Sequence, residues 1–217
     1  MDYLKKIEEI AEHQNGTLLS SDLDENGIPR AYLSMMVAEG DLEKIGRGVY
    51  VVSNQIEDEM YIFQKKYPKL IYSHETALFL HSLSDRTPFD YSATVPSGYK
   101  VVSNLSDRFK MYYVKKELHE LGVTEVKTAF GNIINVYNVE RTICDLLRSR
   151  SRIDIQIFSD ALQRVVKNKQ LESTLLLEYA RKLRVESILN TYMEVLLWEN
   201  SRYAEEINVI EIICNRV

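Results

Sequence analysis

The chain has 217 residues, 45% hydrophobic and 27% charged, a balance that fits a folded globular protein and excludes fibrous, collagenous and disordered classes. That length holds two small domains or one large one. The net charge of −5 at first counts against a nucleic-acid binder. No apolar run approaches the ~20 residues of a membrane span, and the opening MDYLKKIEEIAEH lacks a signal-peptide core, so a cytoplasmic protein without membrane contact is expected.

Tyr3, Leu4, Ile7, Ile10 and Ala11 recur at helical spacing, with Lys5, Lys6, Glu8, Glu9 and Glu12 on the other face. Asn15-Gly16 ends this first helix, since both residues tolerate the left-handed conformation that closes helices. A second short helix starts near Ser20 or Ser21, either of which can cap it, and stops at Asn26-Gly27. Pro29 suits the first turn of a third helix over residues 30–39, with Leu33, Met36 and Val37 inward and Gly40 as its stop. Two short strands, 42–45 and 49–52, flank Gly46-Arg47-Gly48, a tight hairpin tip. Helix, helix, turn, helix and hairpin is the order of a winged helix-turn-helix, expected here over residues 1–56.

Met60, Ile62, Phe63 and Tyr67 mark a helix within 53–72, ended by Pro68. This linker is not rich in Gly or Ser, so a helix rather than a floppy tether joins the two domains. Ser73 offers a cap for a helix over 75–83. Strands are expected at 91–95, 100–102, 109–114, 123–129 and 133–136, broken by Pro88, Pro96-Ser97-Gly98 and Gly131-Asn132. Beyond Asn138 the pattern is helical. Ile155, Phe158, Leu162, Val165 and Val166 mark one helix, Ser173 opens a second, and Ile188, Tyr192, Val195 and Leu196 mark a third. The expected class is α+β: the winged helix-turn-helix, then a mixed α/β domain over 57–217 with a helical C-terminal portion.

Charge is segregated along the chain. Residues 1–52 carry a net −5, 53–140 a net −1, 141–184 a net +5, and 185–217 a net −4. Any DNA contact in the first segment therefore rests on a few placed cations. In a winged helix the third helix enters the major groove and the hairpin tip reaches phosphate or the minor groove. Arg30, Ala31, Tyr32, Ser34 and Met35 face outward by subtraction from the inward set. Arg30 can grip guanine or phosphate, and Tyr32 and Ser34 can donate to phosphate oxygens or base edges. Arg47 is the best wing contact, Lys44 can hold a nearby phosphate, and Ser20 or Ser21 can present a hydroxyl and a helix N-terminus to the backbone. The alternative, favoured by the acidic balance, is a protein-interaction domain whose surface residues have no special role.

Arg148, Arg150, Arg152, Arg164, Lys167 and Lys169 form a basic block suited to assist DNA or meet RNA; a solvated helix face is the plainer reading. Within 140–148, Arg141 and Asp145 are i,i+4 partners. They either pin the first turn of a helix or belong to a polar cluster presented to a partner.

Motifs of catalysis are missing: there is no GxxxxGK loop, no dinucleotide glycine fingerprint and no GxSxG elbow. His74 and His81 lie seven residues apart with Glu75 and Asp85 nearby, but four well-spaced zinc ligands are lacking. A hydrogen-bonded core histidine and a surface histidine account for them. Cys144 and Cys214 show no metal spacing and read as free thiols. No catalytic residue, metal or cofactor is expected.

The N-terminal module, followed by SHETALFLHSLSDRTP at 73–88, TVPSGYK at 94–100 and NVERTICDLLRSRSRID at 138–154, resembles the AbiEi-type, or type IV, antitoxins of bacterial abortive-infection systems. The resemblance runs from about residue 3 to about residue 198. It implies a winged helix that binds inverted repeats in the chain's own promoter and represses the operon. It also implies a C-terminal domain that supplies antitoxin activity and assists cooperative DNA binding, with a monomer as the binding species. The cognate toxin of such systems is a neighbouring nucleotidyltransferase, countered without a stable complex, and the outcome is phage defence. Direct neutralisation by complex formation, or a plain repressor unrelated to a toxin, are the alternatives. Residues 199–217 match nothing in that family; Ile207, Val209, Ile210, Ile212 and Ile213 are apolar enough to dock as a terminal helix or strand.

Overall fold

Helix α1 (Tyr3–His13) opens at Asp2, whose carboxylate accepts from the Lys5 N–H at 3.4 Å, and buries Ile7 and Ala11. It begins the first of two units in the computed structural model, which describes residues 2–100, 108–167 and 171–192. This unit comprises Met1–Leu70 with Glu125–Asn135; the second comprises Ile71–Thr124 with Val136–Val217. The strand expected at 100–102 lies outside the described residues except for Lys100, as do Lys169, Val195, Leu196 and 199–217.

In the first unit α1 is followed by β1 (Thr17–Leu19), α2 (Ser20–Glu25), α3 (Ala31–Glu39), β2 (Leu42–Gly46), β3 (Val49–Val52) and α4 (Glu59–Lys66). The strands form an antiparallel sheet in the order β1-β3-β2, with Thr17 opposite Val51 and Leu42 opposite Val52. Strand β1 has no counterpart in the sequence expectations. All three of its residues are buried, so no alternation betrays it. The core is Ile7, Leu18, Leu23, Ile28, Leu33, Met36 and Leu42, and a smaller cluster joins Leu19, Val49 and Ile62.

Because α2 starts directly after β1, at Ser20, it begins one residue earlier than a cap at Ser20 requires, and Leu19 takes the cap position. Neither Ser20 nor Ser21 caps it. Asp22 in the first turn instead accepts from the Leu19 N–H at 2.7 Å. Helix α3 begins after Arg30 and ends at Gly40. In the β2–β3 turn Gly48 has φ +72°, and a Cβ there would lie 2.7 Å from Ser20 Oγ, so glycine is strongly favoured.

The second unit runs β4 (Ile71–Tyr72), α5 (His74–Leu80), β5 (Tyr91–Pro96), β6 (Phe109–Val114), α6 (Lys116–His119), β7 (Val123–Lys127), β8 (Ile133–Tyr137), α7 (Val139–Arg148), a 3-10 turn (Arg150–Arg152), α8 (Ile155–Lys167), α9 (Ser173–Leu183) and helical turns over 186–192. The strand order is β6-β5-β4-β8-β7, with β5 parallel to β6, β4 antiparallel to β5 and β4 parallel to β8. Residues 125–135 of the β7–β8 hairpin count with the first unit. Leu78, Ile143, Leu146, Leu147, Phe158 and Leu162 lie at the centre of a core completed by α9 and Leu189. The architecture is mixed α+β, with helices gathered toward the C-terminal side. Among the described residues, no helix is long and apolar enough to cross a membrane.

Within the first unit, buried Asp58 binds three donors. Its carboxylate caps α4 at the Tyr61 N–H (3.2 Å) and accepts from Thr128 Oγ1 at 2.6 Å and Asn132 Nδ2 at 2.9 Å. Asp58→Ala removes the cap and strands two buried donors, so it should cost about 2–4 kcal/mol. Urea denaturation should show a lower midpoint at unchanged slope; a midpoint equal to that of the parent chain would refute this role.

Candidate nucleic-acid interface

On α3, Ala31, Ser34 and Met35 are exposed, and Leu33 and Met36 are buried. Tyr32 departs from the outward set: it is half-buried, and its ring meets Tyr3 edge-on at a centroid distance of 5.4 Å. Arg30 is exposed, but its fork is occupied by Asp24, with Nε donating to Oδ1 at 2.8 Å and Nη2 to Oδ2. That hydrogen-bonded pairing lowers the Asp24 carboxyl below its usual range. The pair is solvent-exposed, so a competing phosphate can replace it at little cost.

Arg47 stands exposed at the turn between β2 and β3, and Lys44 is exposed with Nζ 6.0 Å from the Tyr50 ring centroid. Ser21 is exposed. Ser20 is half-buried against Gly48, and its backbone N–H donates to the Gly48 carbonyl at 2.9 Å. With the Leu19 and Ser20 N–H groups both used internally, the start of α2 is a poorer anion site than the sequence suggests.

In the second unit, Arg141 and Asp145 overturn the expectation of a surface cluster. Arg141 has no solvent exposure and Asp145 is 4% exposed. Arg141 Nε donates to Asp145 Oδ2 at 3.0 Å, Nη1 donates to the carbonyls of Leu118 and Leu121 at 2.8 Å each, and the guanidinium lies 4.2 Å from the Tyr137 ring centroid. Nη2 is buried with no hydrogen-bond partner among the described residues. Gly122 lets the chain come this close, since a Cβ there would sit 2.7 Å from Arg141 Cβ. The i,i+4 spacing marks the pair. Its burial follows from carbonyls some twenty residues earlier, which spacing cannot show. Removing one partner leaves a lone buried charge, so Arg141→Met should cost about 3–5 kcal/mol, and adding Asp145→Leu should recover part of that loss. Chemical denaturation of both variants tests this; a double variant weaker than the single one would argue against a charge-pair role.

The rest of the basic block lies at or near the surface. Arg148, Arg150, Arg152 and Lys167 are exposed. Arg150 Nη1 donates to the Leu147 carbonyl at 3.2 Å, and the Arg152 guanidinium lies 4.4 Å from the Tyr112 ring centroid. Arg164 is half-buried and engages Asp85 through both nitrogens of its fork, with Nη1–Oδ1 at 2.9 Å. Arg148 and Arg150 share a cavity of about 490 Å³ with Lys115, Lys182 and Arg184. These last three cations lie outside the candidate set because only the fold assembles them.

His74 is the hydrogen-bonded core histidine. It is 2% exposed, Nδ1 faces Ser73 Oγ at 2.9 Å and Nε2 faces Ser149 Oγ at 3.0 Å. His81 is half-buried rather than free on the surface, its Nε2 2.7 Å from the Tyr137 carbonyl. No group of three or more potential metal ligands occurs among the described residues. Burial, reinforced by Arg152, Arg141 and Arg148, holds the His74 imidazole neutral well below its usual 6.5. The unfolded chain thus binds a proton near pH 6.5 that the folded chain refuses. The stability contributed by His74 is complete above that pH and is lost as pH falls toward the depressed folded value. Between about pH 7.5 and about pH 5.5 the loss is on the order of 1 kcal/mol, and it should vanish in His74→Gln. Denaturation midpoints of both proteins across that range check it; identical pH slopes would overturn it.

Residues 5–53 match the family model described as transcriptional regulator, AbiEi antitoxin. No curated protein matches the chain. Among solved structures, the RV2827C protein from Mycobacterium tuberculosis aligns with a TM-score of 0.48 at 11% identity, over 83% of this chain and 75% of that one. The matched segment runs from the first turn of α1 to the end of β3.

Proposed function

We propose that the chain is a type IV antitoxin that represses its own operon. Residues 1–56 act as a winged helix-turn-helix on duplex promoter DNA with inverted repeats. Residues 57–217 counteract a nucleotidyltransferase toxin that is not held in a stable complex, in a system directed against phage. A monomer binds, and neighbouring copies cooperate on the repeats. The observation that carries this reading is the element order α1-β1-α2-α3-β2-β3 with its β1-β3-β2 sheet, on the segment that matches the regulator family. In this reading α3 enters the major groove with Ser34 and Arg30 toward the bases, and Tyr32 supports the helix through Tyr3. Arg47 and Lys44 hold phosphates from the wing, and Ser20 and Ser21 lie beside the backbone. The exposed cations Arg148, Arg150, Arg152 and Lys167 assist on nucleic acid.

One observation favours a second reading. The first 52 residues are acidic overall, and Asp24 occupies Arg30. Both suit a module that binds a basic partner protein, and toxin and antitoxin would then co-purify as a stable complex.

Arg47→Ala in the full chain separates the two readings. Operator affinity should fall for every sequence tested, and the slope of log K against log salt should flatten by about one. Growth rescue from the toxin should persist, because the change touches only DNA binding. Gel shifts at several salt concentrations that show unchanged affinity and slope would remove the wing from the mechanism.

A further inference from the structure

A second, smaller cavity in the second unit, of about 220 Å³, is lined by His74, Tyr112, Asp145, Arg148, Ser149 and Arg152 among others. It is smaller than the roughly 300–1,000 Å³ clefts that take drug-sized ligands. Its cations are arranged in advance. Tyr112 stacks on His74, with centroids 3.4 Å apart and planes 12° from parallel, and it also carries the Arg152 guanidinium at 4.4 Å. Arg148 and Arg152 have no hydrogen-bond or ion-pair acceptor among the described residues, so their N–H groups are available. The one acid in this lining, Asp145, is bound to Arg141 Nε at 3.0 Å.

A hydrogen-bond chain ends at the same cavity. Thr94 Oγ1 donates to Ser73 Oγ at 2.9 Å. His74 Nδ1 lies 2.9 Å from Ser73 Oγ and Nε2 3.0 Å from Ser149 Oγ. In the tautomer with hydrogen on Nε2, Ser73 donates to Nδ1, the ring donates to Ser149 Oγ, and the Ser149 proton has no acceptor among the described residues. Chains polarised in one direction strengthen their terminal donor. His74 holds this position at φ +50°, a backbone strain that a side chain adopts only where its surroundings demand it.

We infer that this cavity binds a phosphoryl group, gripped by the guanidinium groups of Arg148 and Arg152 and by the hydroxyl of Ser149. Two arginine forks and a hydroxyl converging on one small space match a tetrahedral oxyanion with several acceptor oxygens. The group comes from a free phosphate or from the terminal or internal phosphate of a nucleic acid strand. The inference does not depend on promoter binding by the first unit.

The test is a titration of the full ¹⁵N-labelled chain at constant ionic strength. The probes are inorganic phosphate, a short RNA carrying a 5′-phosphate, and the same RNA ending in a 5′-hydroxyl. The amide signals of residues 148–152 should shift and saturate. Arg152→Gln should weaken that binding about tenfold and Ser149→Ala several-fold, while the exposed control Arg86→Gln leaves it unchanged. Ser149→Ala is small enough to keep the fold should Arg152→Gln disturb it. Preference for the 5′-phosphorylated strand identifies a terminal phosphate. Equal binding of both strands, tighter than inorganic phosphate, identifies the backbone. Inorganic phosphate binding as tightly as either strand identifies a free small anion. No saturable shift with any probe, or equal weakening by Arg86→Gln and Arg152→Gln, would overturn the site.

Discussion

A guanidinium with no solvent exposure needs its charge and most of its donors met, and Arg141 sets that condition for the second unit. Asp145 answers it from one turn further along α7. The carbonyls of Leu118 and Leu121 answer it from α6 and the turn after it, and Tyr137 answers it from the end of β8. Desolvation of the two charges offsets most of their attraction, so the pair contributes placement more than stability. It ties the start of α7 to the segment before β7 and requires glycine at 122. Once α7 is so placed, its last turn delivers Arg148 and Ser149 to the surface, and the 3-10 turn carries Arg150 and Arg152 beside them.

The parts of this architecture that the sequence reveals are those with local periodicity. The long amphipathic helices and the β2–β3 hairpin stand close to their expected places, because their apolar spacing and turn residues act within one element. Strands β1 and β4, of three and two residues, are too short and too buried to show alternation. Each becomes a strand only by pairing with a distant partner, β3 for one and β5 and β8 for the other. The serines before α2 show the same limit: both are good capping residues, yet the strand before them fixes where the helix begins.

Site residues divide in the same way. Exposure of Arg47 and Lys44 follows from a hairpin that local sequence encodes. The bidentate grip of Asp24 on Arg30 spans six residues and a turn, and nothing in the spacing of α3 alone indicates it. The grouping of His74, Tyr112 and Arg152 joins residues about forty apart in sequence at each step, and the fold rather than the spacing brings them together. Net charge is a coarse guide for a related reason. It sums over ion pairs that neutralise one another, whereas a polyanion would respond to the cations left unpaired on one surface.

Cys144 lies in the core of the second unit, 0% exposed, with its Sγ 3.8 Å from the Leu176 carbonyl. Burial pushes its thiol up to about 12, far from the thiolate form that reacts with electrophiles. Alkylation at this position must therefore await an opening of the helices around it. The rate at which a maleimide or iodoacetamide marks the Cys144 peptide is thus a built-in clock for excursions of that core, readable by mass spectrometry in a cell extract without any engineered probe.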